Sequence, residues 1–284
     1  MNTLARTPEQ IAFELAPEYI APTALQRFKK NAGWLMIAAL FVFSLWHLGI
    51  NWSRLFVMSD VTAQLLSGLL RPTPGEDLFV IGYALLETLA MAIAGTFLAI
   101  LLALPFGFIG AKTLISNPVA HGSIRFAYDI MRAIPALIWT IIMIRAVGLG
   151  PAAGVIALAL AEAPYLAKLF AEILENADRR PVVALRAAGA GPAQAIRLGL
   201  VTQVLPSFAG LSLFFVEINV RAAAALGVVG AGGIGLMMSE RMGIAAFEEV
   251  SFLVLVLLAT VIIVDFICSR LRRSILSGQD IWKG

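Results

Sequence analysis

A few charged and polar side chains stand inside long apolar stretches of this chain, and their chemistry needs an explanation. Glu217 and Arg221 are four residues apart, so a helix places both on one face, with the acid first, the order that favours pairing. A charge at the centre of a bilayer costs at least about 2.5–3.5 kcal/mol, and pairing cancels much of that cost. The expected pair either fixes helix packing or lines a polar path in which Arg221 attracts an oxyanion.

Glu162 and Tyr165 form a second polar group, because a spacing of three residues also places them on one helix face. A bare carboxylate facing lipid is unfavourable, so Glu162 either lines a path or is protonated and packs against another helix. The candidate residues of a translocation path are Glu162, Tyr165, Glu217, Asn219 and Arg221.

Two other carboxylates in apolar surroundings need less explanation. Glu87 lies near the outer third of a long apolar stretch and is expected to be an interfacial residue. Asp265 precedes the basic group Arg270, Arg272 and Arg273, and we expect a structural contact with it.

The chain offers no candidate residues for catalysis. The chain has one cysteine, Cys268, and two distant histidines, so no nucleophile–base set and no metal-ligand cluster can be assembled. It also lacks the Gly-x-x-x-x-Gly-Lys-Ser/Thr loop that cradles phosphates, so we expect it to bind no ATP itself.

A glycine-rich run, residues 230–235, satisfies the dinucleotide pattern G-x-G-x-x-G. We reject that interpretation because no strand precedes the run and no βαβ unit surrounds it. Gly230, Gly232, Gly233 and Gly235 are expected to permit a broken, close-packed backbone that faces the path or a partner helix.

The elements that position these residues are membrane helices. Apolar residues make up 60% of the 284 residues and charged residues 14%, against about 45–50% and about 25% in soluble domains. This composition excludes a soluble enzyme and a disordered chain, and predicts an all-α polytopic protein in a lipid bilayer. Spans of about 20 residues are predicted over residues 34–50, 78–109, 134–149, 152–174, 201–229 and 250–269, with Pro105 as a kink or end of the second.

The distribution of basic residues predicts the orientation of these six helices. Of the 21 Lys and Arg residues, 16 fall on the side of the termini and four on the other side, so both termini are predicted in the cytoplasm. The same asymmetry explains the net charge of +3 without any nucleic-acid partner. The predicted organisation is a cytoplasmic segment (1–33), a first span with an outer surface helix (34–77), a core (78–273) and a cytoplasmic tail (274–284).

The cytoplasmic segment 178–192 carries strong local signals. Asp178 is suited to cap a helix, and Pro181 to its first turn. Gly189 and Gly191 can end that helix, and Pro192 can begin the next. The segment predicts a short helix, a tight bend and a second helix, either as an ordinary re-entry turn or as a surface that another protein approaches closely.

Longer stretches resemble the phosphonate-type permeases of binding-protein-dependent ABC importers. They are residues 184–190, 203–206, 215–223 and 227–235, within a resemblance that covers residues 78–273. The loop pattern of these importers is Glu-Ala-Ala, three residues, Gly, nine residues, Ile, one residue, Leu-Pro. Ala184 and Gly189 match it, whereas Val183 replaces the Glu, Leu185 the second Ala, Gly199 the Ile and Val201-Thr202 the Leu-Pro.

The resemblance implies a type I ABC importer permease fold in the bacterial inner membrane. It implies a subunit that pairs with a second permease copy and receives a phosphonate or related phosphorus oxyanion from an extracytoplasmic binding protein. It also implies a cytoplasmic ABC ATPase dimer, which binds ATP and Mg²⁺ and docks on Pro181, Ala184, Leu185, Arg186, Ala188, Gly189, Ala190 and Gly191. Two alternatives stay open: a secondary transporter or channel with Glu162 or Glu217 as an ion relay, and an ABC permease for another solute such as methionine.

Overall fold

The described part of the chain is helical, with no β-strand in it. It divides into two compact units, residues 1–63 and 64–284. Most of the predicted outer surface helix and most of the predicted N-terminal segment lie outside the described residues. The computed structural model describes residues 24–48, 67–68, 70–75, 78–112 and 117–280.

The first unit contains one described helix, α1, which runs from Ala24 to His47. Its apolar part, Asn31–His47, is shorter than a typical membrane span. The predicted first span therefore exists as a helix, although its apolar part is short.

The second unit contains nine described α-helices and two π-helical turns. The helices are α2 (Leu78–Gly110), α3 (Pro118–Arg132), α4 (Ala136–Val147), α5 (Pro151–Asn176), α6 (Arg180–Ala187), α7 (Pro192–Ile196), α8 (Thr202–Leu226), α9 (Gly233–Gly243) and α10 (Phe247–Asp280); the π turns, Arg197–Val201 and Gly227–Ala231, flank α8.

Four helical runs of the described chain are long and apolar enough to cross a membrane. They are α2, α5, the run Pro192–Ala231 that contains α8, and α10 over Phe247–Leu276. The helix α2 continues through Pro105 to Gly110, so this proline does not end it.

The predicted third span, 134–149, is not a single straight helix. The only helix in that region, α4, has 12 residues, or about 18 Å at 1.5 Å per residue, short of the roughly 30 Å of hydrocarbon. It follows α3 at a bend of 78°. Pro135 explains the break, because it lacks an N–H donor and disfavours helical backbone at Ile134. A total of six spans requires both this bent pair and α1 to cross.

Small residues bring α2 and α5 into close contact. A Cβ on Gly95 would lie 2.9 Å from the Cβ of Leu158, and a Cβ on Gly107 would lie 2.8 Å from the Cβ of Phe170. Ala99 and Ala103 of α2 are completely buried in the same cluster. Lipid provides little hydrophobic drive for helix association, so such backbone approach is a main source of packing energy here.

We expect Gly107→Val to destabilise the protein by about 1–3 kcal/mol, because its side chain must displace Phe170 or the backbone of α5. Thermal unfolding in detergent measures the effect. Gly82→Val is the matched control on the same helix, because nothing lies within 4 Å of a Cβ at Gly82. An equal loss of stability in both variants would contradict this packing.

Candidate functional site

The helix α6 contains no buried residue. Its start follows the predicted signals, because the Oδ1 of Asp178 accepts a hydrogen bond from the N–H of Arg180 at 2.9 Å and Pro181 lies in the first turn. Val183, at the position where the importer pattern has Glu, is 64% exposed. The outer surface of α6 is therefore available to another molecule.

A tight bend ends α6. Gly189 has a φ of +86°, in the left-handed region that favours glycine. The N–H of Ala190 donates to the carbonyl of Leu185, and the N–H of Gly189 to that of Arg186, both at 3.0 Å. These two bonds form a Schellman motif, and Pro192 then begins α7. The predicted helix, bend and second helix are confirmed.

Contacts with the start of the α8 run hold α6 in place. A Cβ on the buried Gly199 would lie 2.9 Å from the backbone nitrogen of Val182, so only glycine permits this approach. The amide group of Gln203 faces both the N–H and the C=O of Asp178, each at 3.2 Å. Sequence reasoning noted Gly199 only as a departure from the importer pattern and gave Gln203 no role. The two contacts fix the orientation of α6 relative to α8.

The glycine-rich run breaks the backbone between α8 and α9. Gly230, Gly232 and Gly233 have φ values of +106°, +93° and +67°. A Cβ on Gly235 would overlap the carbonyl oxygen of Ala224. The predicted broken, close-packed backbone is confirmed.

Two side chains of α2 cap the start of α9. The Oε2 of Glu87 accepts from the N–H of Gly233 at 3.0 Å, and the Oγ1 of Thr88 accepts from the N–H of Ile234 at 2.9 Å. A carboxylate is favoured at a helix N-terminus, where free N–H groups and the helix dipole are positive. Glu87, expected to be merely interfacial, therefore ties α9 to α2.

The expected ion pair between Glu217 and Arg221 is wrong, because both residues of α8 pair with α10. Arg272 Nη2 lies 2.7 Å from Glu217 Oε2, and Arg221 Nη1 lies 3.8 Å from Asp265 Oδ2. The expected contact of Asp265 with the basic residues of its own helix is wrong for the same reason. The two ion pairs therefore link α8 to α10.

The other candidate path residues have different environments. Asn219 is 0% exposed, and its Nδ2 donates to Thr96 Oγ1 of α2 at 2.9 Å, so it lies inside a helix contact. Arg221 is 52% exposed. Glu162 is half-buried and has no hydrogen bond or ion pair within the described part of the chain. The structure thus does not bring the five residues together as one cluster.

A series of polar contacts runs between α3 and α5. Arg125 lies 3.7 Å from Glu172 and 3.5 Å from Glu175, and Lys168 lies 2.7 Å from Asp129. Further along, the guanidinium of Arg132 lies over the ring of Tyr165, 4.5 Å from its centroid. Tyr165 in turn contacts Phe215 of α8, with ring centroids 5.5 Å apart.

Sequence reasoning gave Arg132 no contact and so missed its position above Tyr165. The positions 125, 129 and 132 share one helix face, and that spacing was the available signal. Among the residues described, no group of three or more His, Cys, Asp or Glu could hold a metal ion.

Comparisons with known proteins point to membrane transport. The family model "Binding-protein-dependent transport system inner membrane component" matches residues 103–277. The phosphite transport system permease protein PtxC of Stutzerimonas stutzeri is 40% identical over 189 residues, 66% of this chain and 69% of the relative. The phosphate-import permease protein PhnE of Mycolicibacterium smegmatis is 32% identical over 198 residues, 70% of this chain and 37% of the relative.

A solved structure shares the fold. An inward-facing MetNI methionine ABC transporter chain superimposes with a TM-score of 0.60 at 25% identity, covering 70% of this chain and 97% of that chain. The fold is therefore that of a type I ABC importer permease, as expected from the sequence.

We expect Arg272→Gln to destabilise the protein by on the order of 2 kcal/mol, because it leaves the carboxylate of Glu217 without its partner in a poorly solvated setting. Thermal unfolding in detergent of Arg272→Gln, Glu217→Gln and the double variant measures the pair as a double-mutant cycle. The double variant should recover part of the loss. Strictly additive losses would show that the pair contributes nothing.

Proposed function

We propose that this chain, which belongs to the family of binding-protein-dependent transport system inner membrane components, is the permease subunit of an ATP-driven importer for a phosphorus oxyanion. The family membership rests on a match over residues 103–277, which include α5, α6, α8 and most of α10. Family membership also argues against a self-sufficient secondary transporter or channel with Glu162 or Glu217 as an ion relay.

The relatives support phosphite, or a related phosphonate or phosphate, as the cargo. A relative named for phosphite transport is 40% identical, and one named for phosphate import is 32% identical. Methionine is the second candidate, because the structural neighbour named for methionine transport is 25% identical. The higher identity favours the oxyanion.

The observation that supports the proposal most directly is that α6 is exposed while contacts with Gly199 and Gln203 fix its orientation. This helix exposes small side chains next to a fixed bend, and small side chains let another protein surface approach closely. We assign the docking of a cytoplasmic ABC ATPase dimer to α6 and its bend, with the contacts Pro181, Ala184, Leu185, Arg186, Ala188, Gly189, Ala190 and Gly191. That ATPase binds ATP and Mg²⁺. Because Val183 stands where the importer pattern has Glu, one polar contact between the permease and the ATPase is missing.

The remaining partners follow from the same family. An extracytoplasmic binding protein delivers the cargo, and a second permease copy completes the pore. The distribution of Lys and Arg supports a cytoplasmic position of both termini and of α6 at the bacterial inner membrane. When the ATPase dimer closes on ATP, the two copies of α6 approach each other and the spans alternate between outward and inward access.

The translocation path is assigned to exposed or half-buried polar residues on the spans. Arg221 and Tyr165 are accessible from the surface of the chain, and Glu162 is half-buried. Glu217 takes part through its ion pair, and Asn219 supports the path from within the contact of α8 with α2. Gly230, Gly232, Gly233 and Gly235 form the packed break that lets α9 turn against α2.

Reconstitution of this chain in proteoliposomes with its ATPase and binding protein tests the function. We expect uptake of labelled phosphite that requires ATP and stops when either partner is omitted. Phosphate, methylphosphonate and methionine serve as competing solutes. Uptake without the ATPase would contradict the coupling, and competition by methionine alone would contradict the cargo.

We expect Ala188→Glu to abolish ATP-driven uptake, because a long charged side chain at the bend that ends α6 prevents close approach of the ATPase. Thermal stability should stay unchanged, since Ala188 is exposed. Pull-down of the ATPase with the permease measures the docking directly. Ala193→Glu, at an exposed position of α7 outside the assigned contacts, is the matched control and should keep both docking and uptake.

A further inference from the structure

Arg132 occupies an unusual position for a charged residue. It is the last residue of α3, at the break before α4, and its guanidinium lies above Tyr165. Tyr165 is near the middle of α5, a run of 26 residues long enough to cross the membrane. The cation therefore lies beside the middle of a helix that is long enough to cross the membrane, and a charge inside a membrane persists when it faces a polar path or a partner.

Arg132 has no carboxylate to itself among the described residues. Its carboxylate neighbour, Asp129, lies 3.8 Å from Arg132 Nη1 but 2.7 Å from Lys168 Nζ. Two cations thus share one carboxylate, and the closer contact belongs to Lys168. In contrast, Arg272 and Arg221 each have a carboxylate of their own on the facing helix. At the break between α3 and α4, Arg132 therefore has only a shared carboxylate, at the longer of the two distances.

The geometry of the stack leaves hydrogen-bond donors available. A guanidinium above an aromatic ring interacts with it through its charge and keeps its N–H donors, and the fork of these donors matches two oxygens of one oxyanion. Phe215, which is 1% exposed, holds the Tyr165 ring in place. Arg132 is 38% exposed and Tyr165 36%, so an ion can reach the pair from the surface of the chain.

We propose that Arg132, held in place by Tyr165, binds the phosphorus oxyanion as it passes through the membrane. This inference rests on the proposed function and adds a cargo contact at the break in the third crossing. It makes Arg132, and not Arg221, the principal anion contact, because Arg221 keeps the carboxylate of Asp265 as a partner. Glu162 lies one turn from Tyr165 on the same face of α5 and, when ionised, is negative like the cargo. It therefore repels the anion and favours its position beside Arg132.

The test compares Arg132→Lys with Arg125→Lys in the reconstituted transporter. Both keep a positive charge on α3, but Lys cannot offer two parallel donors to one anion. We expect Arg132→Lys to lower the maximal rate of phosphite uptake about tenfold or more. Arg125→Lys should keep the wild-type rate, since a point charge still satisfies Glu172 and Glu175. Uptake by Arg132→Lys at the wild-type rate would overturn the inference.

A second variant separates cargo binding from a purely structural role. Tyr165→Leu removes the ring that orients the guanidinium and should also lower phosphite uptake, whereas Tyr165→Phe keeps the ring and should restore it. If Tyr165→Phe loses uptake as Tyr165→Leu does, or if Arg132→Lys and Tyr165→Leu no longer assemble with the ATPase, the pair is structural and the inference is wrong. If the wild-type complex carries methionine and no phosphite, the proposed function fails, independently of Arg132.

Discussion

Polar groups satisfied between helices hold this membrane unit together. Lipid offers no hydrogen bonds and little hydrophobic drive for helix association, so each polar group withdrawn from water needs a partner within the protein. The contact of Glu217 with Arg272 joins α8 to α10, and that of Asn219 with Thr96 joins α8 to α2. The carboxylate of Glu87 joins α2 to α9. The central helices are thus connected through specific bonds and not only through apolar contact.

The same constraint explains where the backbone is allowed to break. The break at residues 230–233 is stable because Glu87 and Thr88 supply acceptors for the freed N–H groups of α9, and because glycines adopt the required positive φ values. The bend after Gly189 is stable because two Schellman bonds satisfy the last carbonyls of α6. At both of these places, the chain itself supplies hydrogen-bond partners for the backbone groups that leave the helix.

How far the sequence predicted the structure depended on the range of each interaction. The bend of residues 178–192 was predicted because Asp178, Pro181 and Gly189 act on backbone groups within a few residues of themselves. The partners of Glu217 and Glu87 were not, because they lie 55 and 146 residues away and depend on which helices become neighbours. The break at Pro135 was missed because the apolar length of residues 134–149 was weighed without the restriction that proline imposes.

The hydrogen bonds and ion pairs between helices also determine which helices would move if α6 were displaced. A helix with no buried residue adds little stability, and its orientation is fixed by the close approach of Val182 to Gly199 and by the amide of Gln203 on Asp178. A force on α6 therefore acts on the start of the α8 run. Because Glu217 of α8 is bonded to Arg272 of α10, displacing α8 alone would separate two charges at 2.7 Å in a poorly solvated setting. Moving α8 and α10 as one body avoids that cost, so a partner that moves α6 would shift α8 and α10 together.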